Sequence, residues 1–151
     1  MPPPMEQNAT QAPSLYEADF AEWSDRMAEL LHAGRFAEID IENVAEEIAD
    51  LGKAARKAVR SQLQRLMMHK LKQQLQPERD GASWAVSIAE ARDELQEEIE
   101  ESPSLSNYLR ENMQRVYTSA VTKAMRETRK PSGGLPAVCP WTLEELLQQQ
   151  D

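Results

Sequence analysis

Cysteine is almost absent from this chain. The single Cys139 cannot close an internal disulfide and fits a reducing compartment. Aromatic residues make up only 5% of the chain and glycine only five positions, a poor composition for sheets and tight turns. Runs of Val, Ile and Thr in period-two alternation are missing, which argues against a β protein. No stretch approaches the roughly 20 consecutive apolar residues of a membrane span. The opening MPPPMEQNATQAP has neither the basic nor the apolar region of a secretory signal; residues 1–13 are expected to be disordered. Positive charge is also short, with 17 Lys and Arg against 26 Asp and Glu and a net charge of -9. That balance opposes nonspecific nucleic-acid binding by the chain as a whole.

What is present is helical periodicity. Residues 41–76 contain no proline before Pro77 and one glycine, Gly52. Apolar residues recur there at helical spacing: Ile41, Val44, Ile48, Leu51, Ala55, Val59, Leu63 and Leu66. A helix of that length would span roughly 54 Å. Up to Val59 it carries one apolar stripe. Beyond Leu63, with Met67, Met68, Leu71 and Leu75, it is apolar around most of its circumference, so this half must be central in a bundle or covered by a second copy of the chain.

The other elements are shorter. Ser14 and Glu17 have capping-box spacing and predict a helix from residue 14 to about Ala33, with Phe20, Trp23, Met27, Leu30 and Leu31 on one side. Gly34 is placed for a left-handed helix end. Phe36 and Ile39 are expected to plug the core, and Asp40 to cap the long helix. Pro77 ends that helix. A third helix, capped by Asp80 or Ser83, runs to about Glu101 and carries Trp84, Ile88, Ala91, Leu95 and Ile99. Ser102-Pro103 breaks it, and a fourth, capped by Ser104, continues to about Arg129. Residues 130–137 read as a linker. Thr142 and Glu145 form a second capping-box pattern, with Trp141 placed to staple onto Leu146, for a short helix to about Gln149. The expected fold is all-α: an up-down bundle of four main helices around one long helix, plus a short C-terminal helix. Residues 14–151 are read as a single domain.

Charge alternates with these helices. Residues 14–40 hold seven acids against two bases, 53–79 eight bases against one acid, 80–101 eight acids against one base, and 105–130 six bases against two acids. Acidic helices flanking basic ones would disfavour like-with-like pairing, although each exposed ion pair adds little.

Several motifs occur in an order that marks a family. Tyr16-x-x-Asp19-Phe20-x-x-Trp23 is followed by Leu30-Leu31-x-x-Gly34-x-Phe36-x-x-x-Asp40-x-x-Asn43 and Glu46-Glu47-Ile48-x-x-Leu51-Gly52. His69-x-Leu71-Lys72, Gln76-Pro77, Ser83-Trp84-x-x-x-Ile88, Glu101-Ser102-Pro103-Ser104-Leu105 and Cys139-Pro140-Trp141-Thr142 complete the set. Together they resemble the bacterial domain-of-unknown-function family twenty-nine over nearly the whole chain after Ser14. Gln73 departs from the aromatic residue usual after the lysine. The resemblance implies an all-helical bacterial protein and carries no activity, cofactor or catalytic residue.

Glu29-x-x-His32 has the spacing of di-iron bundles, but no second pair exists and both residues fall opposite the apolar side, so it reads as surface. His69 lies on the apolar stripe with Gln62 and Gln73; a core histidine hydrogen-bonded to a neighbouring helix is preferred over a ligand or acid-base residue. Glu46 and Glu47, 22 or more residues earlier, would stand about 33 Å away on a straight helix, and read as helix-dipole partners of the first turns, as does Asn43. Lys53, Arg56, Lys57 and Arg60 share one solvated face without interleaved aromatics, which favours ion pairing over nucleic-acid contact. Cys139 reads as a packing residue.

These residues name no activity. The reading is a cytoplasmic protein-interaction or scaffold domain, a homo-oligomer with an unidentified protein partner, without catalysis, cofactor, metal or membrane. Two alternatives remain open: nucleic-acid association through Lys53, Arg56, Lys57 and Arg60, and an enzyme or metal site centred on His69 with Glu46 and Glu47.

Overall fold

The computed structural model describes residues 13–79, 81–131 and 134–149. These form α1 (Leu15–Ala18), α2 (Phe20–His32), α3 (Ile41–Leu75), α4 (Ala82–Glu101), α5 (Ser104–Thr128) and α6 (Leu143–Leu147), with single 3-10 turns at Phe36–Glu38 and Pro77–Arg79. No strand occurs among the described residues, so the all-α expectation holds. None of the described helices is long and apolar enough to cross a membrane. The disorder expected for residues 1–13 concerns almost wholly residues outside the described ones. The chain divides into two compact units, Met1–Leu51 and Gly52–Asp151.

In unit 1 the first expected helix is split. Asp19 leaves the helical region with φ -149° and ψ 91°, and its carboxylate accepts the Glu22 amide at 3.0 Å. Asp competes with the helix for its own neighbouring amides, so it ends α1 and caps α2. Ser14 precedes α1 but makes no side-chain cap bond, and the capping box expected there does not form. Gly34, at φ 69°, closes α2 with the left-handed turn its missing Cβ permits. Asp40 caps the start of α3, accepting the Asn43 amide and, at 2.7 Å, the Asn43 side-chain amide. The core of this unit is small: Trp23, Met27 and Leu30 are buried, with Leu15, Tyr16, Ile39 and Val44 packed against them. Ile39 does help fill the core, but Phe36 is 63% exposed.

Unit 2 is built on a larger core of sixteen buried residues, drawn from α3, α4, α5 and α6. Val59, Leu63, Leu66, Met67 and Leu71 of α3 are essentially inaccessible. The over-apolar half of the long helix is therefore covered by α4, α5 and α6 of its own chain. Contacts between α3 and α5 advance together: Arg60 with Tyr108, Gln64 with Lys123, Lys72 with Glu127. The two helices thus run in the same direction, as up-down connectivity through α4 requires. One α3–α4 ion pair, Arg65 with Glu90 at 2.9 Å, follows the expected charge alternation, whereas Lys72 pairs with Glu127 of the basic helix α5.

The ends of these helices depart from the sequence reading in detail. Asp80 lies outside the described residues. Gly81 is the N-cap of α4, without a side-chain bond, and Ser83 is already inside the helix. Pro103 takes the N-cap place of α5, Ser104 being its first residue. The C-terminal signal is met in full: Thr142 accepts the Glu145 amide at 3.2 Å and the Glu145 carboxylate accepts the Thr142 amide at 3.0 Å. α6 is then held by α4, where Arg92 Nε donates to the Leu146 carbonyl at 3.0 Å and Gln96 to that of Leu147 at 2.7 Å. Arg92 is the one charged residue that is buried among the described residues, and its bond satisfies a carbonyl that the end of a helix leaves without an intrahelical partner.

Candidate interaction surface

α2 and the opening turns of α3 carry more apolar side chain than unit 1 can bury. On α2 the positions facing inward are Trp23, Met27 and Leu30, while Phe20 and Leu31 on either side of that stripe are 51% and 47% exposed. On α3, Ile41, Ile48 and Leu51 are 67%, 63% and 72% exposed, although all three share the stripe the sequence marks as a packing face. The result is an open groove of about 360 Å³ with Trp23 and Met27 at its floor and Phe20, Leu31, Ile48 and Leu51 along its walls. A second apolar depression, of about 340 Å³, adjoins it through Leu31, Val44 and Ile48 and reaches Phe36 and Ile41. The Trp23 indole N–H is buried with no acceptor among the described residues.

One charged residue, Glu47, lines the larger groove. Its carboxylate accepts the Tyr16 hydroxyl, and this bond, with burial and the nearby charges of Glu46 and Asp50, pushes the Tyr16 phenol up to about 12. Tyr16 also meets Trp23 edge-on, with ring centres 4.8 Å apart. Glu47 thus ties α1 to α3, a role beyond the dipole compensation read for it from sequence.

His69 sits half-buried in unit 2. Burial lowers its pKa from the usual value, the positive charges of Lys72 and Arg65 lower it further, and Glu127 acts in the opposite sense. Burial and the two cations thus favour the neutral ring. The hydrogen bond to a neighbouring helix expected for it is missing at Nδ1, and Gln62 Oε1 is likewise buried without a partner among the described residues. No group of three or more His, Cys, Asp or Glu close enough to hold a metal occurs among the described residues. Glu29 and His32 are both exposed, as their helical position indicated. Cys139 is not primed as a nucleophile: burial pushes its thiol up, and its Sγ approaches the Trp141 carbonyl at 3.5 Å.

Of the basic face, Lys53, Arg56 and Lys57 are exposed, but Arg60 turns toward α5 and donates to the Tyr108 hydroxyl at 2.8 Å. There it meets Arg115, Ser61 and Ser119 around a polar hollow of about 100 Å³. A neighbouring hollow, sharing Gln64 and Ser119, brings in Lys123 and Arg126. Four cations and no acid line this strip, and the α5 members were out of reach of a sequence reading confined to one helix.

The fold and these surfaces define an all-helical protein with an exposed apolar face among its described residues. The chain belongs to the family described as Domain of unknown function DUF29, whose family model matches residues 15–150. No curated protein and no solved structure matches it.

Proposed function

We propose that this protein is a cytoplasmic interaction domain that acts by binding another protein rather than by catalysis, with the apolar face of unit 1 as its contact surface. One observation carries the reading: among the described residues, six of the eight large apolar side chains left exposed lie between Phe20 and Leu51. Scattered exposed apolar residues are ordinary, but a contiguous set around a groove marks a surface meant to be covered. Self-association is a narrower form of the same reading. The reversal of charge sign along α3 supports it, whereas the buried positions of the apolar segment 63–75 pack against the chain's own helices. Capture of tagged full-length protein from its own cells, beside an Ile48→Ser variant, tests the reading. Partners retained by the wild type and lost by the variant are expected. The same partners on both proteins would remove the face from consideration.

A second reading rests on the strip formed by Arg60, Arg115, Lys123 and Arg126 between α3 and α5. Here the phosphate backbone of a nucleic acid would be the ligand. Such binding must fall steeply with salt and weaken on Arg115→Glu. Salt-independent binding, or none, would end it. A site on His69 has the weakest support, since the carboxylate near it, Glu127, is paired with Lys72.

A further inference from the structure

We infer that the groove of unit 1 takes a basic amphipathic helix of about three turns. This rests on the interaction reading above and adds the chemistry of the partner. The shape comes first. Phe20 and Leu31 mark the two ends of the α2 wall, and the eleven helical steps from one to the other cover about 16 Å. Ile48 and Leu51 form the opposite wall. A trough of that length between two helices, apolar along its floor, suits a third helix presenting apolar side chains at i, i+3 or i+4, and i+7. Trp23 and Met27 at the floor supply a large aromatic and an adaptable thioether, residue types that dominate such contacts.

Charge then selects the partner. Between residues 14 and 51 eleven acids stand against two bases, Arg26 and Arg35, and Arg35 is paired with Glu38. Glu47 stands in the groove wall itself. An approaching helix with Lys or Arg flanking its apolar stripe is attracted by this field, while an acidic one is repelled. The same argument disfavours a second copy meeting this one unit 1 to unit 1, because both faces carry the same sign. An anionic membrane surface is disfavoured for the same reason.

The probe is a synthetic peptide of about fourteen residues, four turns of helix, with Leu at i, i+3, i+4 and i+7 and Lys elsewhere. A scrambled peptide of identical composition and a twin with Glu for Lys serve as comparisons, all titrated against the full chain. The Leu/Lys helix is expected to bind, and the Glu twin not to bind. Ile48→Ser and Leu51→Ser are each expected to weaken binding by about tenfold, the loss of one well-placed anchor; both side chains are exposed, so the fold survives, and matching unfolding midpoints verify it. Equal binding of the scrambled peptide would reduce the effect to bulk charge and overturn the proposal. Equal binding by both variants would place the site elsewhere. A wild-type dimer that becomes monomeric on Ile48→Ser would make a second copy the occupant, overturning the basic helix while leaving the interaction face standing. Cellular partners lost on Ile48→Ser without any peptide binding would do the same. Partners unchanged on Ile48→Ser would sink the interaction reading itself.

Discussion

Unit 1 and unit 2 use one long helix in opposite ways. In unit 2 the α3 side chains Val59, Leu63, Leu66 and Met67 are fully buried in a core of sixteen residues. In unit 1, Ile41, Ile48 and Leu51 of the same helix stay more than 60% exposed over a core of three. Fully burying such a side chain stabilises a fold by about 1.5–3 kcal/mol, so unit 2 holds most of the folding free energy and unit 1 keeps apolar surface in reserve. The lesson is that an apolar stripe at helical spacing records a demand for burial, and the demand can be met by the chain or by something else.

The largest test of this contrast is a pair of truncations on the same helix. Leu66→Ala, in unit 2, should cost about 2–5 kcal/mol, read from urea unfolding of the full chain. Leu51→Ala, at an exposed position, should change stability by less than about 0.5 kcal/mol. Comparable losses at both sites would mean that Leu51 is covered within the chain and that the groove is not a free surface. Next comes Arg92→Ala. It leaves the Leu146 carbonyl without its donor and should cost about 1–3 kcal/mol, the penalty of a buried group left unpaired. Hydrogen exchange at the α6 amides should accelerate while those of α2 stay unchanged.

Gly52→Ala probes the boundary between the units. Gly52 lies inside unbroken helix, and an added Cβ would meet only the flexible end of Arg56 at 3.4 Å. Alanine there should raise stability by about 0.5–1 kcal/mol. A loss instead would show that the glycine is needed for a departure from regular helix. The smallest effect is the pH dependence from His69. Its folded pKa lies below the usual 6.5 because of burial and then Lys72 and Arg65. The unfolded chain therefore binds a proton first, and stability contributed by the neutral ring falls as pH drops below 6.5 through the folded value. His69→Gln should flatten that slope in unfolding midpoints measured across the acid range. An unchanged slope would assign it to other groups.

Much of the fold was legible because its signals are local. The long helix ends at Leu75, one residue from the end read from its periodicity, since Pro77 cannot continue it. The Gly34 turn, the Asp40 cap and the Thr142–Glu145 capping box each depend on residues within three or four positions. The errors were local competitions that pattern alone does not rank. Asp19 took over from Ser14 as a cap because its carboxylate reaches the Glu22 amide, and Pro103 displaced Ser104. The candidate surface was largely illegible. Phe20, Leu31, Ile41, Ile48 and Leu51 match their helical faces as well as any core residue does. The available clue was quantity: residues 14–40 offer too little apolar partner surface to cover the first turns of a 35-residue helix.

The sequence by itself determined the all-helical class, the long helix and its end before Pro77, the sign of charge along the chain and the family, because these follow from hydrogen bonding and side-chain spacing along the chain. Only the tertiary structure decided which apolar stripe is core and which is surface, that Arg60 faces Arg115 on another helix, and that Tyr16 reaches Glu47. Burial depends on what residues distant in sequence bring to a side chain, and periodicity carries no information about that.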